Sequence, residues 1–397
     1  MNVLHCRTNF PKTSETFVAN QVTGLLEHGH HVPVVSYFPP DPILDQHRGY
    51  DLENLVRYSV KTPTKTEGLR KLLRAARNDP TIRSAIASLR NKDDFIRLLN
   101  RIAIRSLDSS PDLVHLHFGS KLEWWLDIPE ISTIPLVLSF YGYDASRNLF
   151  RKPERYQHAF KQASVVTGLS DHMIGILHDA GCPAEKLFKQ PIGVDTVAQE
   201  PLVPTREVQQ PLNLLSICRL VPKKGIRYAI EAVSELSEEY DICYRIGGNG
   251  DQRDELEELA KAHGVTDSVE FLGWLSPEEL TTEMAHCHAF MQPSVIGPDG
   301  DMEGTPTVIL QAQAAGKPVI STYHAGIPEI VPDNAGILVP ERDSAALASA
   351  IHQFHSKKSH WDSMSVAARR YVENNHSIPK ITENLERVYS IAISQMP

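Results

Sequence analysis

DMEGTPTVILQAQAAGKPVIST, residues 301–322, decides how this chain is read. Pro306 suits the first position of a helix, because its missing N–H would be unpaired there anyway. Gly316 is placed to end that helix, and Pro318 stops it from resuming. The following PVIST reads as a buried strand. Glu303 therefore lies just ahead of a helix N-terminus, where the free amides of Gly304, Thr305 and Thr307 form a ready anion site. A carboxylate beside an anion site suits a ligand with both a phosphate and a hydroxyl-rich sugar, which is the chemistry of a nucleotide sugar.

Working outward, LSICRLVPKKGIRYAIEAV (215–233) reads as the end of a strand, then Arg219 and Lys224, then Gly225 and an amphipathic helix. Two cations just past the C-terminal end of a strand sit where open α/β sheets bind ligands. Arginine offers a fork of donors to phosphate oxygens, and lysine a movable point charge. Beside the Glu303 helix, this outweighs a reading of both as solvated surface charges.

The 397 residues exceed one ordinary domain and predict two, each of about 200 residues. Apolar strands alternate with amphipathic helices, which predicts an α/β fold with parallel sheets. A short strand at Val3–Cys6 opens the first half, with a turn and then a helix from Glu15 to His28 that Ser14 can cap. Further strands are expected at His31–Tyr37, Leu113–His117, Leu136–Phe140 and Val165–Leu169, and PIGVD (191–195) closes this half. Residues 196–211 are polar, rich in proline and without period, as in a linker. The second half predicts strands at 212–218, 240–246, 268–272, 288–292 and 318–321, with helices between them. Helices follow over about 344–374, and a last apolar-periodic helix at 378–393.

The five cysteines (Cys6, Cys182, Cys218, Cys243, Cys287) form no close pair and no metal-type spacing. They fit a reducing cytoplasm. No early stretch looks like a signal peptide and no apolar run reaches bilayer length, so a cytoplasmic location is expected. Net charge is −9, yet residues 61–105 hold twelve Lys or Arg against four Asp or Glu, a local +8 that leaves −17 for the rest. Leu69, Leu72, Leu73 and Ala76 follow a helical period, flanked by Arg70, Arg74 and Arg77. Residues 65–105 thus admit two readings: a buried apolar stripe with a solvated basic face, or a peripheral contact with an anionic membrane. Nucleic acid is not an expected partner, since no basic patch is interleaved with aromatics.

The Arg219–Lys224–Gly225 run and the Glu303 helix resemble the retaining GT-B glycosyltransferases of the large family that includes sucrose synthases and bacterial polysaccharide enzymes. FPKTSETFVANQVTGLLEHGHHV (10–32), HLHFG (115–119), SFYGYDAS (139–146), PIGVD and RIGGNGDQRDEL (245–256) extend the resemblance over most of the chain, most like family 4-type enzymes of exopolysaccharide or colanic-acid type. It implies two Rossmann-like domains facing each other across a cleft. Residues 1–195, with a last helix at about 377–397 packing back, would be the acceptor side, and 212–376 the nucleotide-sugar side. Arg219, Lys224 and Glu303 would be the catalytic set, with Glu303 on the donor-sugar hydroxyls. Gly248, Leu275, Gly304, Thr305, Pro306, Thr307 and Gln311 would surround the donor. Ser14, Glu15, Thr16, His117, Tyr141 and Asp144 would lie on the acceptor side.

Two positions depart from the family. Its pattern is Glu, seven residues, Glu, but here the second Glu is Gln311, which keeps acceptor capacity for ribose hydroxyls and loses the charge. Tyr141 stands where relatives often carry His, and near neutral pH a phenol is no general base. Retaining transfer of this kind does not need one, because the departing phosphate can take the acceptor's proton. For Ser14 a plain helix cap, and for His117 a structural hydrogen bond, are the competing readings. Asp299-Gly300-Asp301 has the spacing of a metal-binding pair, but it sits in a Gly/Pro loop where Asp commonly forms turns. With Arg219 and Lys224 filling the cation role, neither metal nor cofactor is expected. The implied activity is transfer of a hexose, best guess glucose from UDP-glucose, to a growing polysaccharide or lipid-linked saccharide. The alternatives are a non-catalytic nucleotide-sugar-binding scaffold and a UDP-sugar epimerase on the same fold. A nicotinamide enzyme is disfavoured, because Arg253 replaces the third glycine of GxGxxG.

Overall fold

The computed structural model describes residues 1–41, 47, 49–61, 64–151, 153–196 and 211–395. The expected linker at 196–211 falls almost wholly outside them. The chain forms two compact units. One comprises 1–169, 174–190 and the chain from Ile381 onward; the other comprises 170–173 and 191–380.

The first unit holds a parallel sheet of β1 (Val3–Asn9), β2 (Val34–Phe38), β3 (Val56–Tyr58), β4 (Leu113–His117), β5 (Leu136–Ser139), β6 (Val165–Gly168) and β7 (Leu187–Lys189), in the order β3-β2-β1-β4-β5-β6-β7. The second holds β8 (Leu212–Ile217), β9 (Ile242–Gly247), β10 (Val269–Gly273), β11 (Ala289–Gln292), β12 (Val319–Thr322) and β13 (Gly336–Val339), in the order β10-β9-β8-β11-β12-β13. Both orders run outward from a central pair, β1/β4 or β8/β11. Open α/β sheets bind ligands beyond the carboxyl ends of such a pair. The central strands are largely buried because helices cover both faces of a parallel sheet. In the second unit Leu214, Tyr244, Ile246, Ala289 and Met291 pack with Ile230 and Val233 of the helix Ile226–Leu236 and with Ile351 and Phe354 of the helix Ser344–Ser356.

The strand expectations hold within three residues, from 212–218 expected and Leu212–Ile217 found to His31–Tyr37 expected and Val34–Phe38 found. PIGVD belongs to the second unit rather than closing the first, tied there by Val194 N–H to the His376 carbonyl (2.8 Å) and by His376 to the Ile192 carbonyl (2.9 Å). The apolar stripe expected on the basic helix is split. In the helix Lys65–Asn78, Leu72 is buried while Leu69 and Leu73 remain 52% and 54% exposed.

Gly225 links the second unit's site loops. It has φ +65°, between a 3₁₀ turn at Pro222–Lys224 and the helix Ile226–Leu236, and a Cβ there would lie 1.9 Å from the Pro293 carbonyl oxygen. Gly29, at φ +78°, has nothing within 4 Å of its notional Cβ. Gly29→Ala should therefore cost only the left-handed strain, ~1–2 kcal/mol. Gly225→Ala should cost clearly more, because the loop after β11 must also move. Urea unfolding of the two variants checks this, and equal losses would contradict the close approach.

Candidate functional site

In the second unit, β8 delivers the cations and the loop after β11 delivers the carboxylate. The 3₁₀ turn places Lys223 and Lys224 so that both ammonium groups converge on Glu303. Lys224 Nζ is 2.5 Å from Oε1 and Lys223 Nζ 4.0 Å from Oε2. Lys223 also donates to Asp301 Oδ1 (3.1 Å) and to the Met302 carbonyl (3.0 Å). The Glu303 side chain is 8% exposed, and the buried Ser294 hydroxyl donates to its Oε1 at 3.4 Å. Burial alone would raise the Glu303 pKa. The charges of Lys224 and Lys223, with the hydrogen bond from Lys224, overcome it and hold the carboxyl at about 2. Burial likewise opposes the charge on Lys224, but Glu303 raises its pKa above the ordinary lysine value. Both partners are therefore ionised near neutral pH.

His324 fixes the backbone of Glu303. Its Nε2 takes the Glu303 N–H at 3.0 Å, and its Nδ1 meets Glu341 Oε1 at 2.5 Å. An amide N–H only donates, so Nε2 is the acceptor and Nδ1 carries the proton. The other oxygen of Glu341 accepts the Ile296 N–H at 2.9 Å. Arg219 is exposed, has no ion-pair partner among the described residues, and lies near enough for its charge to act on Lys224.

The helix after Glu303 runs from Thr307 to Ala314 with Pro306 as its N-cap, one residue later than expected. The cause is the extended ψ of 108° at Pro306. The N–H groups of Gly304, Thr305 and Thr307 have no acceptor among the described residues, and the Thr305 hydroxyl is buried without a partner. Gly316 follows the helix at φ +73°, as a terminating glycine does. Gln311 lies half-buried on this helix. Gly248, at φ +117°, packs so closely that a Cβ would meet the Cys218 carbonyl oxygen at 1.8 Å. Leu275 packs on Gly247, and Trp274 is 76% exposed. The Asp299/Asp301 pair is committed to its own turn, with the Asp301 N–H donating to Asp299 Oδ1 (3.1 Å) and Asp301 paired to Lys223. Lys223, Ser294, His324 and Glu341 went unnoticed in the sequence; the doubled lysine at 223–224 was the only signal for any of them.

In the first unit, Ser14 is exposed in a 3₁₀ turn and caps nothing. The helix starts at Thr16 with Glu15 at its N-cap, so the capping expectation is corrected. The Glu15 carboxylate is occupied by Arg7 and by Lys12 (2.6 Å). Arg7 is buried, 4.6 Å over the Phe118 ring, and Phe118 itself holds φ +71°. His117 Nδ1 meets the Tyr141 hydroxyl at 2.7 Å. Asp144 is fully buried and accepts the N–H groups of Tyr141 and Gly142 (both 3.0 Å) and Gly119 (2.8 Å). It clamps the loops after β4 and β5 together and is not open to an acceptor, which corrects the expectation for it.

Comparison with known proteins follows the same division. Residues 14–197 match the family model Glycosyltransferase Family 4, and residues 203–371 match Glycosyl transferases group 1. The putative colanic acid biosynthesis glycosyltransferase of Escherichia coli (strain K12) is 33% identical over 362 residues, 87% of this chain and 88% of the relative. The amylovoran biosynthesis glycosyltransferase of Erwinia amylovora is 31% identical over 399 residues, 96% and 98% of the two chains. An Anabaena protein crystallised with UDP aligns at TM-score 0.73 with 18% identity, covering 98% of this chain and all of the other; its UDP-glucose complex aligns at 0.69. At that identity the likeness shows the fold, which is GT-B.

The pair at Glu303 carries a pH signature. A carboxyl whose folded pKa lies below its unfolded value contributes stability that is complete above about pH 4.5 and fades as pH falls towards 2. The contribution is on the order of 3 kcal/mol. Glu303→Gln should flatten that part of the stability–pH curve in denaturant titrations between about pH 5 and pH 2.5. A variant curve parallel to wild type would contradict the pairing. Lys224→Met should cost ~3–5 kcal/mol at pH 7, because it leaves a buried carboxylate under-compensated.

Proposed function

Because this chain belongs to the glycosyltransferases, its two halves matching their family 4 and group 1 models, we propose that it moves a hexose from a UDP-sugar to a growing exopolysaccharide or lipid-linked saccharide, with retention of configuration and without a metal. The observation that carries this reading is the ion pair of Lys224 and Glu303, with the charge of Arg219 acting on Lys224 and the amides of Gly304, Thr305 and Thr307, next along the chain, without an acceptor among the described residues.

Breaking the bond from the anomeric carbon to the diphosphate builds negative charge on the leaving group. Preorganised positive groups where that charge grows lower the barrier, by roughly 3–4 kcal/mol for one good donor. Arg219 and the helix-start amides supply such groups, with the Thr305 hydroxyl beside them. Glu303, ionised and fixed by two lysines and by His324, receives hydroxyls of the donor sugar. Gln311 holds the ribose through neutral hydrogen bonds of about 1 kcal/mol each, weaker than those to a carboxylate. UDP-glucose as donor is supported by analogy with the Anabaena complexes, and a polysaccharide acceptor by the names of the bacterial relatives.

The expected assay is nucleotide release from a panel of UDP-, GDP- and ADP-sugars. UDP-glucose should be turned over, and EDTA should leave the rate unchanged. Arg219→Ala should lower turnover by roughly 100-fold or more with the circular dichroism spectrum intact. Near-normal turnover would remove Arg219 from the mechanism, and interconversion of UDP-sugars without an acceptor would indicate an epimerase.

The same proposal includes contact with an anionic membrane at its cytoplasmic face. Among the described residues no helix is long and apolar enough to cross a membrane. The helix Lys65–Asn78 still presents Leu69 and Leu73 to solvent, with Arg70, Arg74 and Arg77 exposed beside them. Each such cation near an anionic surface contributes about 1 kcal/mol. Flotation with phosphatidylglycerol vesicles should capture the protein. Salt, or the double variant Leu69→Asp/Leu73→Asp, should release it. No flotation at low salt would refute the contact.

A further inference from the structure

Among the described residues, one group of histidines is close enough to suggest a metal site: the ring nitrogens of His5, His115 and His117, buried in the first unit, lie within 4.8 Å of one another. Each of those nitrogens already has a hydrogen-bond partner. The His115 and His117 rings also stack at 3.9 Å, which sets their in-plane lone pairs side by side rather than towards one ion. Burial keeps all three imidazoles neutral.

A more open feature lies in the basic region of the same unit. A cavity of about 440 Å³ sits between the end of the helix Pro80–Ala87, the helix Lys92–Ile104 and the turn at 127–129. Cavities of roughly 300–1,000 Å³ are the size that holds small ligands. Arg90, Arg97 and Arg101 all line it. Arg97 spends its Nε on the Glu123 carbonyl (2.8 Å) and one terminal nitrogen on Asp94 (3.4 Å). Arg101 spends its Nε on the two oxygens of Glu130 (2.9 Å each). Arg90 is exposed, and its guanidinium has no hydrogen-bond or ion-pair partner among the described residues. A guanidinium carries five N–H groups, so all three arginines keep unspent donors around one space.

The two carboxylates in the lining, Asp94 and Asp127, are already supplied with donors. Asp94 accepts the Arg90 backbone N–H at 3.1 Å, and Asp127 meets the His158 imidazole at 2.9 Å and the Gln162 amide at 2.5 Å. Three arginines against two carboxylates leave one positive charge in excess. That matches a monoanion with several acceptor oxygens. A phosphomonoester carries about −1.5 to −2 at pH 7, whereas a phosphodiester carries about −1. Leu89, Leu98, Ile128 and Pro129 add an apolar wall that a free phosphate would leave uncovered.

The cavity also adjoins the exposed leucines. A Cβ on Gly68 would lie 2.9 Å from the Phe95 ring and 3.2 Å from Leu99. The helix that presents Leu69 and Leu73 therefore crosses the cavity's own helix next to Asp94 and Leu98.

We propose that this cavity binds the phosphodiester headgroup of an anionic membrane lipid, with Arg90, Arg97 and Arg101 on the phosphate oxygens and Leu89 and Ile128 against the adjoining carbon atoms. This rests on the membrane contact proposed above and names the lipid chemistry that it recognises. Leu69 and Leu73 supply the apolar anchor, and the cavity makes the contact depend on the headgroup and not on surface charge alone.

The test is calorimetric titration of the full chain with dihexanoylphosphatidylglycerol below its critical micelle concentration, run beside vesicle flotation. One lipid should bind per chain. Arg90→Ala should weaken it by roughly tenfold or more, the scale of a lost charge-assisted hydrogen bond. Arg70→Ala, on the exposed side of the neighbouring helix, should leave it unchanged, and so should Leu69→Asp/Leu73→Asp, which abolishes flotation. Glycerol phosphate and inorganic phosphate, lacking the apolar part, should bind roughly tenfold more weakly. Inorganic phosphate bound as tightly as the lipid would make this a free-phosphate site and overturn the proposal. Equal losses in Arg70→Ala and Arg90→Ala would overturn it too. Flotation without short-chain binding would end the headgroup site and leave the membrane contact standing. Short-chain binding without flotation would end the contact, while the cavity kept its phosphodiester ligand.

Discussion

A carboxylate as buried as Glu303 survives in its charged form only if cations are built in beside it. The idealised cost of taking one such ion out of water is on the order of 20 kcal/mol, and several kcal/mol remain after relaxation. Two lysines from one tight turn meet that demand, and the rest of the second unit is arranged so that they can. The turn must follow β8 and the carboxylate must follow β11, so the two central strands of the sheet have to end at the same level. The Val295 N–H donates to the Lys223 carbonyl at 2.8 Å, tying the two loops directly. Gly225 lets them touch where any side chain would hold them apart. His324 then fixes the peptide of Glu303, leaving its carboxylate little freedom to swing.

The same demand accounts for the division of labour among the three cations. Lys223 is consumed by structure, with Asp301, the Met302 carbonyl and Glu303 around it. Lys224 is shared, close enough to Glu303 to hold it ionised and on a side chain flexible enough to turn elsewhere. Arg219 is exposed, with no ion-pair partner among the described residues. Nothing in the spelling PKK ranks the two lysines. The 3₁₀ geometry of the turn does, by aiming one towards Asp301 and the other towards Glu303.

This marks the limit of what the sequence made legible. The strands of the second sheet were readable because buried parallel strands are continuous apolar runs bounded by turn residues. β3 and β7 were not, since three residues that include Arg57 or Lys189 give no apolar run to detect. Glu303, Arg219 and Lys224 stood out because charged residues at strand ends and helix starts are costly unless used. Ser14 misled, because a serine before a helix looks the same whether it caps or not, and here Glu15, held by Arg7 and Lys12, took the N-cap position. Asp144 misled for a related reason: a carboxylate in a loop looks open until the three amides it accepts are seen. His5 and Tyr389 were beyond reach, being 384 positions apart and joined only by the fold.

The two units bury their polar groups by different means. In the second unit the buried groups around Glu303 are charged and paired, with Lys224 and Lys223 on the carboxylate. In the first, Arg7 and Glu15 neutralise each other at the edge, and the interior is a run of neutral imidazoles and hydroxyls. A charged residue there would impose one sense of hydrogen bonding on any partner.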